Sequence, residues 1–191
     1  MPAHAFRLVP FAVPGAPSGA NAASLDIEIT GTIALDAGTV NVTYRISGAT
    51  DRVKYASASA QPARKHELWR TTCFELFLRS PASVEYWEVN LAPSRDWNVY
   101  RFTTYRSALQ QEPDIADIMI TTEVAPAGLT SVRATLPLPP SLVGQKLAVG
   151  ISSVIQERSG EVHYFALRHG GTKPDFHDPA GFDIKLDPTS A

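Results

Sequence analysis

Three tryptophans that lie close together are the residues of this sequence best suited to bind a ligand. Trp69, Trp87 and Trp97 are all the tryptophans of the chain, and Tyr86 and Tyr100 lie among them. An aromatic ring at the junction of a loop and a strand can stack on the flat apolar face of a pyranose, while polar neighbours bond the sugar hydroxyls. The alternative is packing in a core, which is common for aromatic residues. We expect core packing for Trp87, in mid-strand, and leave both interpretations open for the other two.

The two junction tryptophans have polar residues beside them that could contact sugar hydroxyls. Trp69 follows a polar loop, and Trp97 follows a turn that begins at Pro93. In an up–down–up meander both junctions lie at the same end of the sheet, because alternate strands run in the same direction. We therefore predict a ligand site there, formed by Trp69, Arg70, Arg95, Asp96, Trp97 and Asn98.

Carboxylates on adjacent predicted strands raise the question of glycoside hydrolysis. Glu75, Glu85 and Glu88 lie there, and a glycosidase needs two carboxyl groups about 5 to 10 Å apart, one of them with a raised pKa. No further acid–base signature accompanies them. We interpret Glu75 as a structural carboxylate, because its apolar neighbours would bury it and a buried charge needs a partner. Arg70 and Arg101 are the partners we expect.

Histidine and cysteine form no recognised metal site in this sequence. His169 and His177 flank a glycine-rich loop, but their spacing matches no ligand motif. We expect hydrogen bonds of its own side chains to hold this loop. Cys73 is the single cysteine, which excludes an intramolecular disulfide and a multi-thiolate zinc site. We expect it in the core.

The elements that must position these residues are β-strands. Two-residue alternation and turn residues delimit nine segments: 25–29, 39–46, 72–79, 84–91, 97–105, 131–136, 147–155, 162–167 and 182–186. Gly150 indicates a bulge or a close approach within its strand. Helical evidence is limited to a turn or two at 106–112. The pattern predicts one domain over residues 1–191, an all-β antiparallel β-sandwich of about ten strands with little helix.

Composition excludes several classes of function. The chain has 191 residues, with 17 Lys and Arg against 19 Asp and Glu, for a net charge of -2. This balance offers no basic surface for nucleic acid or for an anionic membrane, and no apolar run is long enough for a transmembrane helix. Arg7, Pro10 and Pro14 interrupt the N-terminal region. We therefore see no secretory signal and expect a cytoplasmic protein.

Three runs of sequence, taken in order, carry a resemblance. They are LWRTTCFELFL at 68–78, YWEVNLAPSRDW at 86–97 and ALRHGGTKPDFH at 166–177. Together they resemble the bacterial DOMON-like proteins related to the type 9 carbohydrate-binding modules. This resemblance implies a β-sandwich of two antiparallel sheets. It also implies a sugar held between tryptophans and bonded by polar side chains, and Trp69 fits the family position best.

The resemblance also bears on metals and cofactors. Relatives often have an acidic residue three positions before the strand glutamate, whereas this chain has Thr72 there and keeps Glu75. This departure removes one carboxylate from the calcium or sugar contact that the resemblance implies. Ca²⁺ nevertheless stays open as a ligand, and we expect no bound cofactor. Other DOMON domains hold haem through a methionine and a histidine. Met119 and His163 are the candidates here, and because no motif surrounds them we do not expect haem.

Three functional hypotheses follow. The leading one is a non-catalytic β-sandwich that binds a small molecule, with a saccharide bound by exposed tryptophans as first choice. The alternative is a structural or protein–protein interaction module whose aromatic residues are core and whose exposed strands pair with a partner chain. The second alternative is a glycan hydrolase that uses Glu75 or Glu88.

Overall fold

Strands follow one another along the chain in the computed structural model, which describes residues 3–12 and 25–188. The strands are β1 (His4–Pro10), β2 (Ile27–Asp36), β3 (Thr39–Gly48), β4 (Cys73–Arg79), β5 (Tyr86–Leu91), β6 (Trp97–Phe102), β7 (Gln110–Gln111), β8 (Met119–Ala125), β9 (Gly128–Pro137), β10 (Leu147–Gln156), β11 (Val162–Ala166) and β12 (Ile184–Leu186). The helical elements in these ranges are single 3₁₀ turns at Thr50–Arg52, Leu68–Arg70, Pro140–Leu142 and Pro179–Gly181. No described helix is long and apolar enough to cross a membrane.

The strands form two antiparallel layers joined through β1. The hydrogen-bonded order is β7-β6-β5-β4-β10-β11-β1-β2-β3-β9-β8, with β12 beside β10. His4–Leu8 of β1 pairs with β2, whereas Val9 and Pro10 pair with β11. We call β7-β6-β5-β4-β10-β11 the first layer and β1-β2-β3-β9-β8 the second layer. The predicted all-β antiparallel sandwich is confirmed.

Large apolar side chains fill the space between the two layers. The ring of Tyr44, on β3, meets the ring of Phe74, on β4, with centroids 4.9 Å apart, and Phe6 lies 5.4 Å from Tyr44 on its other side. The Tyr44 hydroxyl donates a hydrogen bond of 2.9 Å to the backbone carbonyl of Glu75. Because aromatic rings from both layers pack against one another in this core, they fix the orientation of one layer relative to the other.

The first layer is apolar on both faces, as the meander predicted. Phe74, Leu76 and Leu78 of β4 lie in the core between the layers, so the alternate residues of the strand point outwards. A second, smaller cluster covers part of this outer face and consists of Phe77, Tyr86, Tyr100, Phe102, Ala148 and Phe182, with Trp69 and Phe176 packed against it. This outer cluster belongs to the same face as the carboxyl groups of β4 and β5.

The sequence missed some elements. It did not predict β1, which buries only Phe6 and Leu8, or β8, an edge strand that exposes Met119 and Val124. The helical turn expected at 106–112 is wrong. Arg106 and Ala108 have φ angles of 51° and 55°, and β7 pairs with β6 instead. A right-handed helix excludes such angles.

Gly150 on β10 marks the close approach that the sequence predicted. A Cβ at this position would lie 2.7 Å from Cδ1 of Phe182 and 3.3 Å from Cβ of Phe77. The missing side chain lets Phe182 lie flat against β10 and anchors the C-terminal segment on the outer face of the first layer.

We expect Gly150→Ala to lower the free energy of unfolding by about 1–3 kcal/mol, because the Phe182 ring must move to admit a methyl group. Urea denaturation monitored by circular dichroism measures the change. The matched control is Gly171→Ala, where the nearest atom to the new Cβ is 3.7 Å away. Equal stability of the two variants would contradict the role given to Gly150.

Candidate functional site

A cavity of about 390 Å³ lies on the outer face of the first layer. Its floor is formed by strand residues, among them Glu75 on β4, Glu88 on β5 and Val154 on β10. Its volume falls in the range of about 300–1,000 Å³ that is usual for small-molecule sites. We call this cavity the outer pocket.

Two carboxyl groups form the polar part of the floor. Glu75 is 2% exposed and Glu88 is 5% exposed. Ser152 donates its hydroxyl to Oε2 of Glu75 at 3.0 Å, and Asn90 donates its amide to Oε1 of Glu88 at 2.8 Å. Neither carboxyl forms a salt bridge with a Lys or Arg of the described residues; the nearest basic nitrogen recorded is Nε2 of His177, 3.6 Å from Oε2 of Glu88.

Aromatic rings flank this floor from two sides. Trp69 stands on the β6 side, where its ring meets Tyr100 edge-on with centroids 5.6 Å apart. Tyr164 of β11 stands on the other side, with Phe176 6.1 Å from it between centroids. Because β6 and β11 lie two strands to either side of β4, the floor between them is wide enough to receive a ring.

Strained backbone carries part of the pocket wall. Glu67, two residues before Trp69, has a φ of 59°, and Arg106 and Ala108 precede the lining residue Leu109 with φ of 51° and 55°. Non-glycine residues enter this left-handed region at a cost, and such strain persists where the surrounding structure holds it. It concentrates here in two loops that line the pocket.

An ion pair ties two of the pocket loops together. Arg106 donates to Oδ1 of Asp175 at 2.9 Å, and the Tyr105 hydroxyl donates to Oδ2 at 2.6 Å. Burial raises the pKa of Asp175, but the hydrogen bonds from Tyr105 and Arg106 outweigh it and hold that pKa below its ordinary value. Asp175 is therefore ionised at neutral pH and compensates the charge of Arg106.

The Tyr86 hydroxyl orients His177 at the rim. It accepts the backbone N–H of Arg106 at 3.0 Å and lies 2.8 Å from Nδ1 of His177. Because a phenolic oxygen can accept more than one hydrogen bond, this contact is compatible with either tautomer of His177, and the tautomer protonated on Nε2 directs its N–H towards Glu88. Burial, assisted by the charge of Arg106, lowers the pKa of His177 to about 4, so the ring is neutral at pH 7.

Burial without a counter-charge governs the two carboxyls. Burial, and then the charge of Glu88, raises the pKa of Glu75 to about 8, and burial raises the pKa of Glu88 to about 7. The hydrogen bonds from Ser152 and Asn90 act in the opposite direction but are weaker. At neutral pH the two groups therefore retain protons that exposed glutamates have lost, and together they offer both hydrogen-bond donors and acceptors.

The structure brings only part of the predicted ligand set to the outer pocket. Trp69 lines it and is partly exposed. Arg70 is exposed and is engaged by Oε1 of Glu67 at 2.8 Å. That Trp69 contacts a ligand remains a prediction.

The expectation that Trp97 is exposed is wrong. Its side chain is 2% exposed in the core between the layers, and the Arg64 guanidinium lies 4.4 Å from the centre of its ring. Trp97 and Val99 share the inward face of β6, whereas Asn98 lies on the outward face. Trp69 and Trp97 are thus on opposite faces of the same sheet, although both precede their strands.

The polar members of the predicted set hold the loop before Trp69 instead. Asp96 accepts hydrogen bonds from Lys65, at 2.8 Å, and from the backbone N–H of Ala63. Asn98 is fully buried and donates to the carbonyl of Lys65, and Arg95 donates to the carbonyl of Ser59. These side chains are occupied within the protein, which leaves few of their groups for a sugar.

The partners predicted for Glu75 are also wrong. Arg70 pairs with Glu67, and Arg101 pairs with Glu85 at 2.7 Å. Arg101 lies opposite Trp87 in the β5–β6 pairing and shares its side of the sheet, whereas Glu75 points to the outer face. The core position expected for Trp87 is confirmed, and its Nε1 donates to Glu112 at 2.6 Å.

The structure also places the candidate metal and haem ligands. Met119 is 67% exposed on the edge strand β8, and His163 lies on β11 in the other layer. In the described residues, the donor atoms of Glu157, Glu161 and His163 lie within 4.8 Å of one another. Glu157, however, is already bonded by His163 at 2.7 Å and by Arg52 at 2.7 Å. These contacts satisfy the buried carboxylate without a metal.

The sequence analysis named several residues of the outer pocket but did not predict that they lie together. It considered Glu75 and Glu88 together only as a hydrolase pair, treated His177 separately, and attached no function to Arg106 or Tyr164. One signal was present: polar residues recur on one parity of β4, β5 and β6, while the other parity is apolar except for Arg101 of β6. That pattern indicates a polar patch on the face that does not form the core.

Two solved structures share this fold. A protein from Bacteroides uniformis ATCC 8492 that has been proposed to bind carbohydrate is similar with a TM-score of 0.64 and 13% identity, over 97% of this chain and 86% of that one. A family 9 carbohydrate-binding module from Caldicellulosiruptor kristjanssonii, solved with cellotriose, is similar with a TM-score of 0.52 and 18% identity, over 88% and 80%. The architecture is therefore that of a family 9 carbohydrate-binding module.

Sequence comparison finds no such similarity. No family model matches this chain, and no curated protein matches it. At the identities above, the likeness to solved structures concerns the fold alone.

We expect the carboxyl pair to make the folded state less stable as pH rises from about 6.5 to 8. The folded protein holds protons on Glu75 and Glu88 that the unfolded chain has lost above its ordinary pKa of 4.5, so stability falls through pKa values of about 7 and 8. His177 acts in the opposite direction, but only between about 4 and 6.5, because its folded pKa is lowered.

Melting temperatures measured across this pH range test the expectation. The double variant Glu75→Gln with Glu88→Gln should flatten the decline, since neutral amides have no proton to lose. Glu123→Gln, on the exposed edge strand β8, is the matched control and should keep the wild-type profile. Parallel profiles for the wild type and the double variant would contradict the assignment.

Proposed function

We propose that this protein binds carbohydrate in the outer pocket without chemical conversion. The observation that supports the proposal is the pairing of aromatic rings with a buried floor of hydrogen-bonding groups. Trp69 stands on one side of the floor and Tyr164 on the other, with Glu75 and Glu88 between them. Sugars combine flat apolar ring faces with hydroxyls around their edges, and this pocket offers a counterpart to each.

The polar groups of the pocket suit hydroxyl ligands. A sugar hydroxyl both donates and accepts, and Glu75 and Glu88 do both when they share protons. The neutral imidazole of His177, bonded to the Tyr86 hydroxyl through Nδ1, adds a further hydrogen-bonding nitrogen, Nε2, at the rim. Ser152 and Asn90 fix the carboxyl orientations from below. Groups held by strands lose little freedom on binding, which favours affinity.

The shared fold adds independent support. The family 9 module from C. kristjanssonii was solved with cellotriose. Similarity of fold does not determine function, so the argument depends on the side chains of the pocket in this chain.

We expect Trp69→Ala to weaken sugar binding by about tenfold or more and to leave the fold intact, because the ring is partly exposed and packs against the small outer cluster, not in the core between the layers. Isothermal titration calorimetry with a panel that includes glucose and cellotriose measures the affinity. Met119→Ala, which removes an exposed side chain from β8, is the surface control.

Trp97→Ala should affect stability, whereas Trp69→Ala should affect sugar binding. Because Trp97 is a core residue, its truncation should lower the free energy of unfolding by about 3–5 kcal/mol. If no sugar of the panel binds at millimolar concentration, or if Trp69→Ala unfolds the protein, the proposal is wrong.

A second candidate function is glycoside hydrolysis, which the raised pKa values of Glu75 and Glu88 favour. Glycosidases, however, place their two carboxyls on either side of the scissile bond. Here both project from the same face of neighbouring strands. Glu75 is paired with Asn90, two residues from Glu88, so the two carboxyls are diagonal neighbours on one floor. A ligand would lie above both carboxyls, and binding is therefore the function we favour.

Product analysis separates the two functions. Oligosaccharides that bind should be recovered intact after prolonged incubation, and Glu88→Gln should change affinity alone. Release of shorter sugars that depends on both Glu75 and Glu88 would establish the hydrolase instead.

A further inference from the structure

We propose that the outer pocket selects saccharides that carry a protonated amine, with the ammonium group bound between Glu75 and Glu88. This inference rests on the proposed function and adds the class of sugar. It starts from two buried carboxyls that form no salt bridge with a Lys or Arg of the described residues and that a neutral sugar would leave without a counter-ion.

No Lys or Arg of the described residues forms a salt bridge with either carboxyl, and their hydrogen-bond partners, Ser152 and Asn90, are neutral. Arg106 lines the pocket and its charge lowers the pKa of both carboxyls, but burial outweighs this effect. Asp175 engages the Arg106 guanidinium at 2.9 Å. A buried carboxylate without a partner is costly, so the pair retains protons while the pocket is empty.

The groups that surround the pair carry no other positive charge at neutral pH. His177 lies 3.6 Å from Glu88 and is neutral, because burial lowers its pKa to about 4. Tyr44, Cys73, Tyr86 and Tyr100 have raised pKa values and are neutral at pH 7, and Asp175 is an anion. A cationic ligand would therefore supply the direct counter-charge that Arg106, paired with Asp175, does not.

An ammonium group matches this floor. It has three N–H donors and can bond one oxygen of each carboxyl, and charge-assisted bonds of this kind are about twice as strong as neutral ones. Ammonium binding would replace the protons that Glu75 and Glu88 retain, so that two buried anions and one cation lie together. A hydroxyl in the same place supplies no charge.

The walls explain why the amine should belong to a sugar. Trp69, Tyr164 and Phe176 present rings beside the floor. Rings attract a nearby cation through their negative faces and also stack on a pyranose. An amino sugar uses both features, with its ring between the aromatic walls and its ammonium on the carboxyls. A pocket of about 390 Å³ has room for such a unit.

Affinity comparison at pH 7 tests this inference. The probes are glucosamine and galactosamine, their parents glucose and galactose, and their N-acetylated forms, which keep the nitrogen but lose the charge. Titrations are made with a chelator present. We expect each amino sugar to bind about tenfold or more tightly than its neutral counterparts, and a tenfold preference corresponds to about 1.4 kcal/mol.

Variants show whether the carboxyl pair causes the preference. Glu75→Gln combined with Glu88→Gln keeps the shape of the floor and removes its carboxyl groups. The ratio of amino-sugar to neutral-sugar affinity, measured on the same variant, should therefore fall from about ten or more to about one. Glu123→Gln should retain the preference, because that residue lies on β8 in the other layer. Melting curves confirm that each variant is folded before its affinities are compared.

Each remaining outcome has one meaning. If neutral sugars bind as well as the amino sugars, or if the preference survives in the double variant, this inference is overturned and the proposed function stands. If sugars bind only when Ca²⁺ is added back, the counter-charge is a metal ion and this inference is overturned. If no sugar of any kind binds, the proposed function fails and this inference fails with it.

Discussion

The alternation of side chains along β4 and β5 is the constraint on which the pocket depends. Tyr44 and Phe74 meet between the layers, and this contact sets which parity of β4 points inwards. Glu75 must then point outwards, and Glu88 follows because its strand is paired in register with β4. A shift of one residue in either strand would exchange the carboxyls with core residues. The packing of the core therefore places the polar floor.

The loops that pack over the outer face of the first layer close around the floor that Glu75 and Glu88 form. Phe182 lies against β10 where Gly150 leaves space, and the loop before it carries Phe176 and His177. The ion pair between Arg106 and Asp175 joins this loop to the loop after β6. Segments that are far apart in sequence thus close around the floor. They bury Glu75 and Glu88, and a less polar surrounding strengthens the electrostatic interactions of these two groups.

Unpaired buried carboxyls are more informative about function than paired ones. Asp96 is also buried, but Lys65 and Ser94 outweigh the effect of burial and lower its pKa, which is the usual pattern of a structural carboxylate. Glu75 and Glu88 have no such compensation and retain protons. Groups kept in this state at the base of a cavity cost stability, and binding a ligand is a use that offsets the cost.

The amino-acid sequence by itself determined the strands, since alternation and turn residues act within a few positions. The meander from β4 to β6, the lack of long helices and the close approach at Gly150 were all predictable in this way. The face that each strand of the first layer buries was harder to assign, because large apolar side chains lie on both faces and polar residues mark only part of one. Only the tertiary structure decided that Trp97 is core while Trp69 lines the pocket. It also joined Glu75 to Ser152, and Arg106 to Asp175, across long separations in the chain. Such contacts arise from strand order and packing between layers, which local pattern does not specify.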